Sequence, residues 1–102
     1  MIKDIKLENL GRVNTNKVDV VYNKTLVSKE NPNNKIEKKI TLYFSYQTIV
    51  GIEKDHQIYC HVNDWSTTTG KLLNEIQRDK KQRLEADEFN KVLSSVFDEV
   101  NQ

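Results

Sequence analysis

Three runs decide the fold, and they follow one another with little between them: Ile40-Thr41-Leu42-Tyr43-Phe44-Ser45-Tyr46, then Thr48-Ile49-Val50-Gly51-Ile52, then Gln57-Ile58-Tyr59-Cys60-His61-Val62. Each is rich in β-branched and aromatic residues, which suit a pleated, half-buried surface. In the first run, alternation puts Ile40, Leu42, Phe44 and Tyr46 on one face and Thr41, Tyr43 and Ser45 on the other. The intervals between the runs are too short for a crossover, so the strands pair antiparallel. A turn is expected at Glu53-Lys54-Asp55-His56, where the apolar pattern breaks.

Upstream, Lys17 to Val27 carries Val18, Val20, Val21, Tyr22, Thr25, Leu26 and Val27 and reads as another strand. The segment Ser28-Lys29-Glu30-Asn31-Pro32-Asn33-Asn34-Lys35 holds the only proline and three asparagines, the composition of an exposed loop. Ile5-Lys6-Leu7-Glu8-Asn9-Leu10 fits a strand or a short helix. Downstream the period changes. Leu72, Leu73 and Ile76 fall at helical spacing within Thr69 to Gln77, and the charged stretch Arg78-Asp79-Lys80-Lys81-Gln82-Arg83 connects to a second helix. There Phe89, Val92, Leu93, Val96, Phe97 and Val100 form an apolar stripe, with Glu85, Asp87 and Glu88 at the start, where the helix dipole favours acids. The expected fold is α+β: an antiparallel meander of four to five strands followed by two helices packed on one face. Phe89, Leu93 and Phe97 are then expected against the sheet, with Tyr43 and Tyr59 on its open side.

The 102 residues suffice for one domain with a modest core. Charged residues reach 30% but nearly cancel, leaving a formal net charge of +1, so the low apolar fraction of 36% does not signal disorder. The charge is uneven: residues 1–40 hold nine Lys/Arg against five Asp/Glu, whereas residues 84–102 hold one against five. Met1-Ile2-Lys3-Asp4-Ile5-Lys6 is broken by charge and is no secretory leader. No apolar run approaches membrane-spanning length, so a cytoplasmic protein without membrane contact is expected.

Asn63-Asp64-Trp65-Ser66-Thr67-Thr68-Thr69-Gly70-Lys71 ends like a phosphate-binding loop, but Trp65 stands where the first glycine is needed and Leu72 replaces the hydroxyl after the lysine. The hydroxyls serve better as cap oxygens for the following helix, with Trp65 over the strand–helix corner. Amides and hydroxyls of Thr67, Thr68 and Thr69 beside Lys71 also offer an anion site. Cys60 is the only cysteine and reads as a buried strand thiol. His56, Cys60 and His61 do not converge as metal ligands on a strand, and Cys60 and His61 point apart, which excludes a nucleophile–base pair. No cofactor or metal is expected. Arg78, Lys80, Lys81 and Arg83 are the densest positive cluster, a candidate surface for nucleic acid with Tyr43 or Tyr59 stacking on bases.

Three segments together, Tyr43 to Gly51, Asn63 to Asn74 and Lys81 to Phe89, resemble a family of small uncharacterised domains of phages, archaeal viruses and their hosts. The likeness covers roughly residues 40–95, its most specific part being Trp65-Ser66-Thr67-Thr68-Thr69-Gly70-Lys71. Residues 1–38 have no counterpart in it. Members often carry Ser or Pro where this chain has Glu85, so the second helix cap differs. The resemblance implies a viral or mobile-element origin and no particular activity. The resulting expectation is a non-enzymatic accessory protein that binds a host protein, such as an inhibitor of host or defence machinery. Its candidate contacts are Tyr43, Tyr59, Trp65, Thr67, Thr68, Thr69 and Lys71. The alternative is a small nucleic-acid-binding module built on Arg78, Lys80, Lys81 and Arg83, and a homodimer is the other way to cover an open sheet face.

Overall fold

In the computed structural model, which describes residues 2–26, 34–63 and 67–101, one antiparallel sheet carries five strands in sequential order. They are β1 (Ile2–Asn9), β2 (Thr15–Leu26), β3 (Asn34–Ser45), β4 (Thr48–Lys54) and β5 (Gln57–Cys60). Two helices follow, α1 (Thr67–Ile76) and α2 (Ala86–Val100), joined through a 3-10 turn at Lys80–Gln82. This is the α+β meander-then-helices architecture read from the sequence, and the ambiguous N-terminal segment is a strand. The expected loop at residues 28–35 falls mostly on 27–33, outside the described residues, while Asn34 and Lys35 begin β3.

The expected turn after β4 tightens to two residues. Asp55 (φ 51°) and His56 (φ 65°) are both left-handed, the geometry of a type I′ hairpin turn whose twist matches its strands. Between β3 and β4 the connection is also two residues, Tyr46 and Gln47, flanked by the paired Ser45 and Thr48.

The register sorts the side chains into two faces. Val18, Leu42, Ile52 and Tyr59 lie opposite one another across β2 to β5. With Val20, Tyr22 and Ile40 they make the larger core, closed by Phe89, Val96 and Val100 of α2. The next row, Tyr43, Gly51 and Cys60, points to the other face. There Leu72 and Leu73 of α1 pack on Val50 and Cys60. A Cβ at Gly51 would lie 2.6 Å from Ile76 Cδ1, so the bare backbone there makes room for the end of the Ile76 side chain of α1. A β-bulge assists: Phe44 pairs Ile49 and Tyr43 pairs Gly51, leaving Val50 as the extra residue and turning it under α1 beside Gly51.

The two helices are therefore divided between the faces, α2 on one and α1 on the other, where the sequence suggested both on one. The reason is that β4 and β5 are apolar on both sides, and each side needs cover. The stripe of α2 is corrected at one position as well. Phe89 is buried and Leu93 half-buried, but Phe97 is 40% exposed. At roughly 100° per residue Phe97 sits about 80° around the helix from Phe89, beyond the strip that meets the sheet.

The C-terminal end of α2 is fastened by Glu99, whose side chain is 11% exposed. It takes ion pairs from Lys24 and Lys54 and a 2.9 Å hydrogen bond from the Tyr22 hydroxyl. Burial pushes its carboxyl up, but the hydrogen bonds from Lys24, Lys54 and Tyr22 outweigh that and hold it at about 2. The same contacts raise Lys24, chiefly through its hydrogen bond to Glu99.

Candidate binding surface

The residues singled out in the sequence do not share one site. Tyr59 lies half-buried on the α2 face, packed against the larger core. Tyr43 lies half-buried on the α1 face, its ring edge against Gly51, and its hydroxyl donates 3.2 Å to Glu53. Burial, followed by the Glu53 charge, pushes its phenol up to about 12. Neither tyrosine is therefore on an open sheet face, because α1 covers the side expected to be free. Trp65 lies outside the described residues, as do the side chains of Thr67 and Thr68, whose backbones open α1.

Thr69 is buried, and its hydroxyl meets that of Ser45 at 2.7 Å, fastening the start of α1 to the end of β3. Gly70 admits the Asn63 side chain, whose amide nitrogen would lie 2.9 Å from a Cβ placed there. The Thr-Gly part of the motif is thus spent on packing, while Lys71 points to solvent.

The basic cluster is also split. Arg83 is half-buried; its guanidinium donates to the Gln77 carbonyl at 3.0 Å and to Asn74 Oδ1 at 2.8 Å, closing the C-terminal end of α1. Arg78, Lys80 and Lys81 are exposed. A polar cleft of about 380 Å³ lined by Val62, Asn63, Gly70, Asn74, Lys80 and Arg83 joins the motif to this cluster, a proximity that spacing alone did not show.

Cys60 and His61 do point apart. Cys60 is buried under α1, and burial pushes its thiol up to about 11 despite the opposing Arg83 charge. The His61 ring packs edge-on against Phe89 of α2, 5.1 Å between centroids, with Nδ1 2.6 Å from the Val62 carbonyl.

The most exposed large apolar groups near α1 come from two turns, one of them holding Tyr46, which alternation puts in the strand on the face of Ile40, Leu42 and Phe44 but which lies beyond the end of β3. Val13, between β1 and β2, is 81% exposed, and Tyr46 is 57% exposed. The Tyr46 N–H donates 2.7 Å to the Asn14 carbonyl, which ties the two turns together, and neighbouring Ser45 carries the contact to Thr69. Arg12, in the same loop as Val13, pairs with Glu75 of α1. Asn9 braces that loop, its Nδ2 donating to the Arg12 and Thr15 carbonyls and its Oδ1 accepting from Gly11 N–H. Tyr46 sits at φ 57°, a left-handed conformation that a bulky residue rarely adopts. One signal was in the sequence: a tyrosine stands in a two-residue hairpin connection, where Gly, Asn or Asp is normal.

A family model described as a family of unknown function, DUF8033, matches residues 5–91. The chain belongs to this family. The DUF8033 match takes in the last five residues of β1, the whole of β2 to α1 and the first six residues of α2, including N-terminal strand residues that the sequence resemblance did not reach. No curated protein and no solved structure matches the chain.

Proposed function

We propose that this DUF8033 domain is a non-enzymatic protein-binding module, an accessory of a phage or mobile element that engages a host protein through the end of the sheet displaying Tyr46 and Val13. The observation that carries the reading is Tyr46 itself: a large exposed aromatic held in a left-handed turn. Such a conformation costs stability and persists where the surroundings enforce it, most often at working surfaces. Tyrosine contributes a broad apolar area with a polar tip, the chemistry of interface hot spots. No group of three metal-ligating side chains converges among the described residues, and the buried, proton-retaining Cys60 offers no nucleophile.

The test is capture from host lysate with the intact chain and with Tyr46→Asn, each with and without nuclease. Nuclease-resistant capture by the parent that is lost in Tyr46→Asn supports the reading. Capture unchanged by the substitution removes Tyr46 from the site.

One observation favours nucleic acid as a second reading. Lys71, Arg78, Lys80 and Lys81 are exposed and carry no ion pair among the described residues. The same holds for Lys6, Lys35 and Lys39 of the sheet, but Arg78, Lys80 and Lys81 fall within four consecutive residues. Binding through them would fall steeply with salt and weaken on their charge reversal regardless of base sequence. Tyr43 and Tyr59, half-buried on opposite faces, do not supply the stacking platform.

A further inference from the structure

The two edges of the sheet differ. At the Cys60–Val62 end of the β5 edge, the Leu84 N–H donates to the Cys60 carbonyl at 2.7 Å and the Val62 N–H to the Leu84 carbonyl at 2.9 Å, so the returning chain occupies that end. At the other end of the strand order lies β1, all eight of whose residues are exposed. The Leu10 N–H turns inward to the Thr15 carbonyl. Alternation then points the amides of Ile5, Leu7 and Asn9 outward, and that of Ile5 is met by the carboxylate of its own neighbour Asp4 at 2.9 Å.

β1 is also strongly two-sided. A bulge between Ile2 and Asp4 brings Ile2, Ile5 and Leu7 onto the α2 face, opposite Tyr22, Val20 and Val18. Lys3, Asp4, Lys6 and Glu8 take the other face, where Lys3 pairs with Glu37 and Glu8 with Lys17. α2 does not reach over the apolar row: Ile5 is 59% and Leu7 69% exposed. The flank of α2 bearing Val92 and Ser95 lines a cleft with Lys54 and Tyr59, and Leu93 and the exposed Phe97 lie on its other flank. α2 leaves a gap over the apolar row of β1, floored by a bare strand edge.

We propose that a second copy of this chain fills it, the two β1 strands pairing antiparallel about a two-fold axis perpendicular to the sheet. Charge chooses the copy and the register. The polar face of β1 reads Asp4, Lys6, Glu8, which meets its own reverse with opposite charges only when the two strands are offset by one step from full overlap. Setting Ile5 against Ile5 of the second copy puts Lys6 opposite Asp4; setting Leu7 against Leu7 puts Lys6 opposite Glu8. The intermediate register, Ile5 against Leu7, would oppose Lys6 to Lys6 and Asp4 to Glu8, and like charges in cross-strand pairs exclude it. In either allowed register both α2 helices stand on the same face, and the two apolar rows meet between them. The pairing does not depend on the function proposed for Tyr46.

Sedimentation equilibrium of the intact chain, together with amide exchange, tests this. The expected result is a reversible dimer in which the Ile5 and Leu7 amides become protected as concentration rises. Lys6→Gln, which removes the charge without setting a new acid opposite Asp19 in its own sheet, raises the dissociation constant about tenfold, because the contact occurs twice across the axis. A parent that stays monomeric at all concentrations, or a dimer indifferent to Lys6→Gln, overturns the proposal.

Discussion

At Tyr46 the left-handed backbone and the bulky side chain conflict. A left-handed residue with a Cβ costs roughly 1–2 kcal/mol, less where the side chain is Asn. Tyr46→Asn keeps the N–H that donates to Asn14 and removes much of the strain, so it is expected to stabilise the domain by about 0.5–1 kcal/mol in urea unfolding. A merely structural tyrosine would give the opposite sign. Gain of stability with loss of partner capture is the signature of a residue kept for binding. The two phenylalanines of α2 form a second contrast. Phe89 is 1% exposed and touches the His61 ring, and Phe89→Ala should cost roughly 3–5 kcal/mol. Phe97→Ala leaves a side chain already 40% in water and should cost under about 1 kcal/mol in the monomer. Equal losses from both in thermal melts would place Phe97 in a core that the described packing does not include.

The elements themselves were legible because their signals are local. Alternation in residues 40–62 and the helical stripe from Phe89 to Val100 can be read from neighbours alone, and they became β3, β4, β5 and α2. What was not legible is how the layers are shared out. That depends on the bulge at Val50 and on the bare backbone of Gly51 under Ile76, neither of which has a periodic signature. The same limit split the candidate site: Thr69 read as a helix-cap or anion-site hydroxyl and Arg83 as a surface charge, but Thr69 bonds Ser45 and Arg83 the Gln77 carbonyl, holding the two ends of α1. A consequence follows for the basic cluster. Arg83→Gln removes the donors to Gln77 and Asn74 and should cost about 1–2 kcal/mol, since carbonyls at a helix C-terminus favour a cation. Joint Lys80→Glu and Lys81→Glu should stay within about 0.5 kcal/mol of the parent. If urea midpoints show no such split, Arg83 is as free as its neighbours and belongs with them in the nucleic-acid reading.

Across the whole molecule, Glu99 is where helix and sheet are joined by charge, since one carboxylate serves Lys24 and Tyr22 on β2 and Lys54 on β4 from the last turn of α2. Its pKa of about 2 in the fold compares with 4.5 for the ordinary side chain. A carboxyl held down by folding makes the unfolded chain the better proton binder, so stability falls as pH falls. The contribution is fully present above about pH 4.5, where both states are ionised, and is lost between there and about pH 2, where both are protonated. Its size is at most about 3 kcal/mol, from 1.36 kcal/mol per pKa unit, a large share of a small domain's total. Glu99→Gln should therefore weaken the domain most at neutral pH, where Lys24 and Lys54 lose their counter-charge, and the gap to the parent in urea unfolding should close as the buffer is taken from pH 5 toward pH 2. A difference that stays constant over that range would mean that the side chain's shape, and not its charge, holds α2 in place.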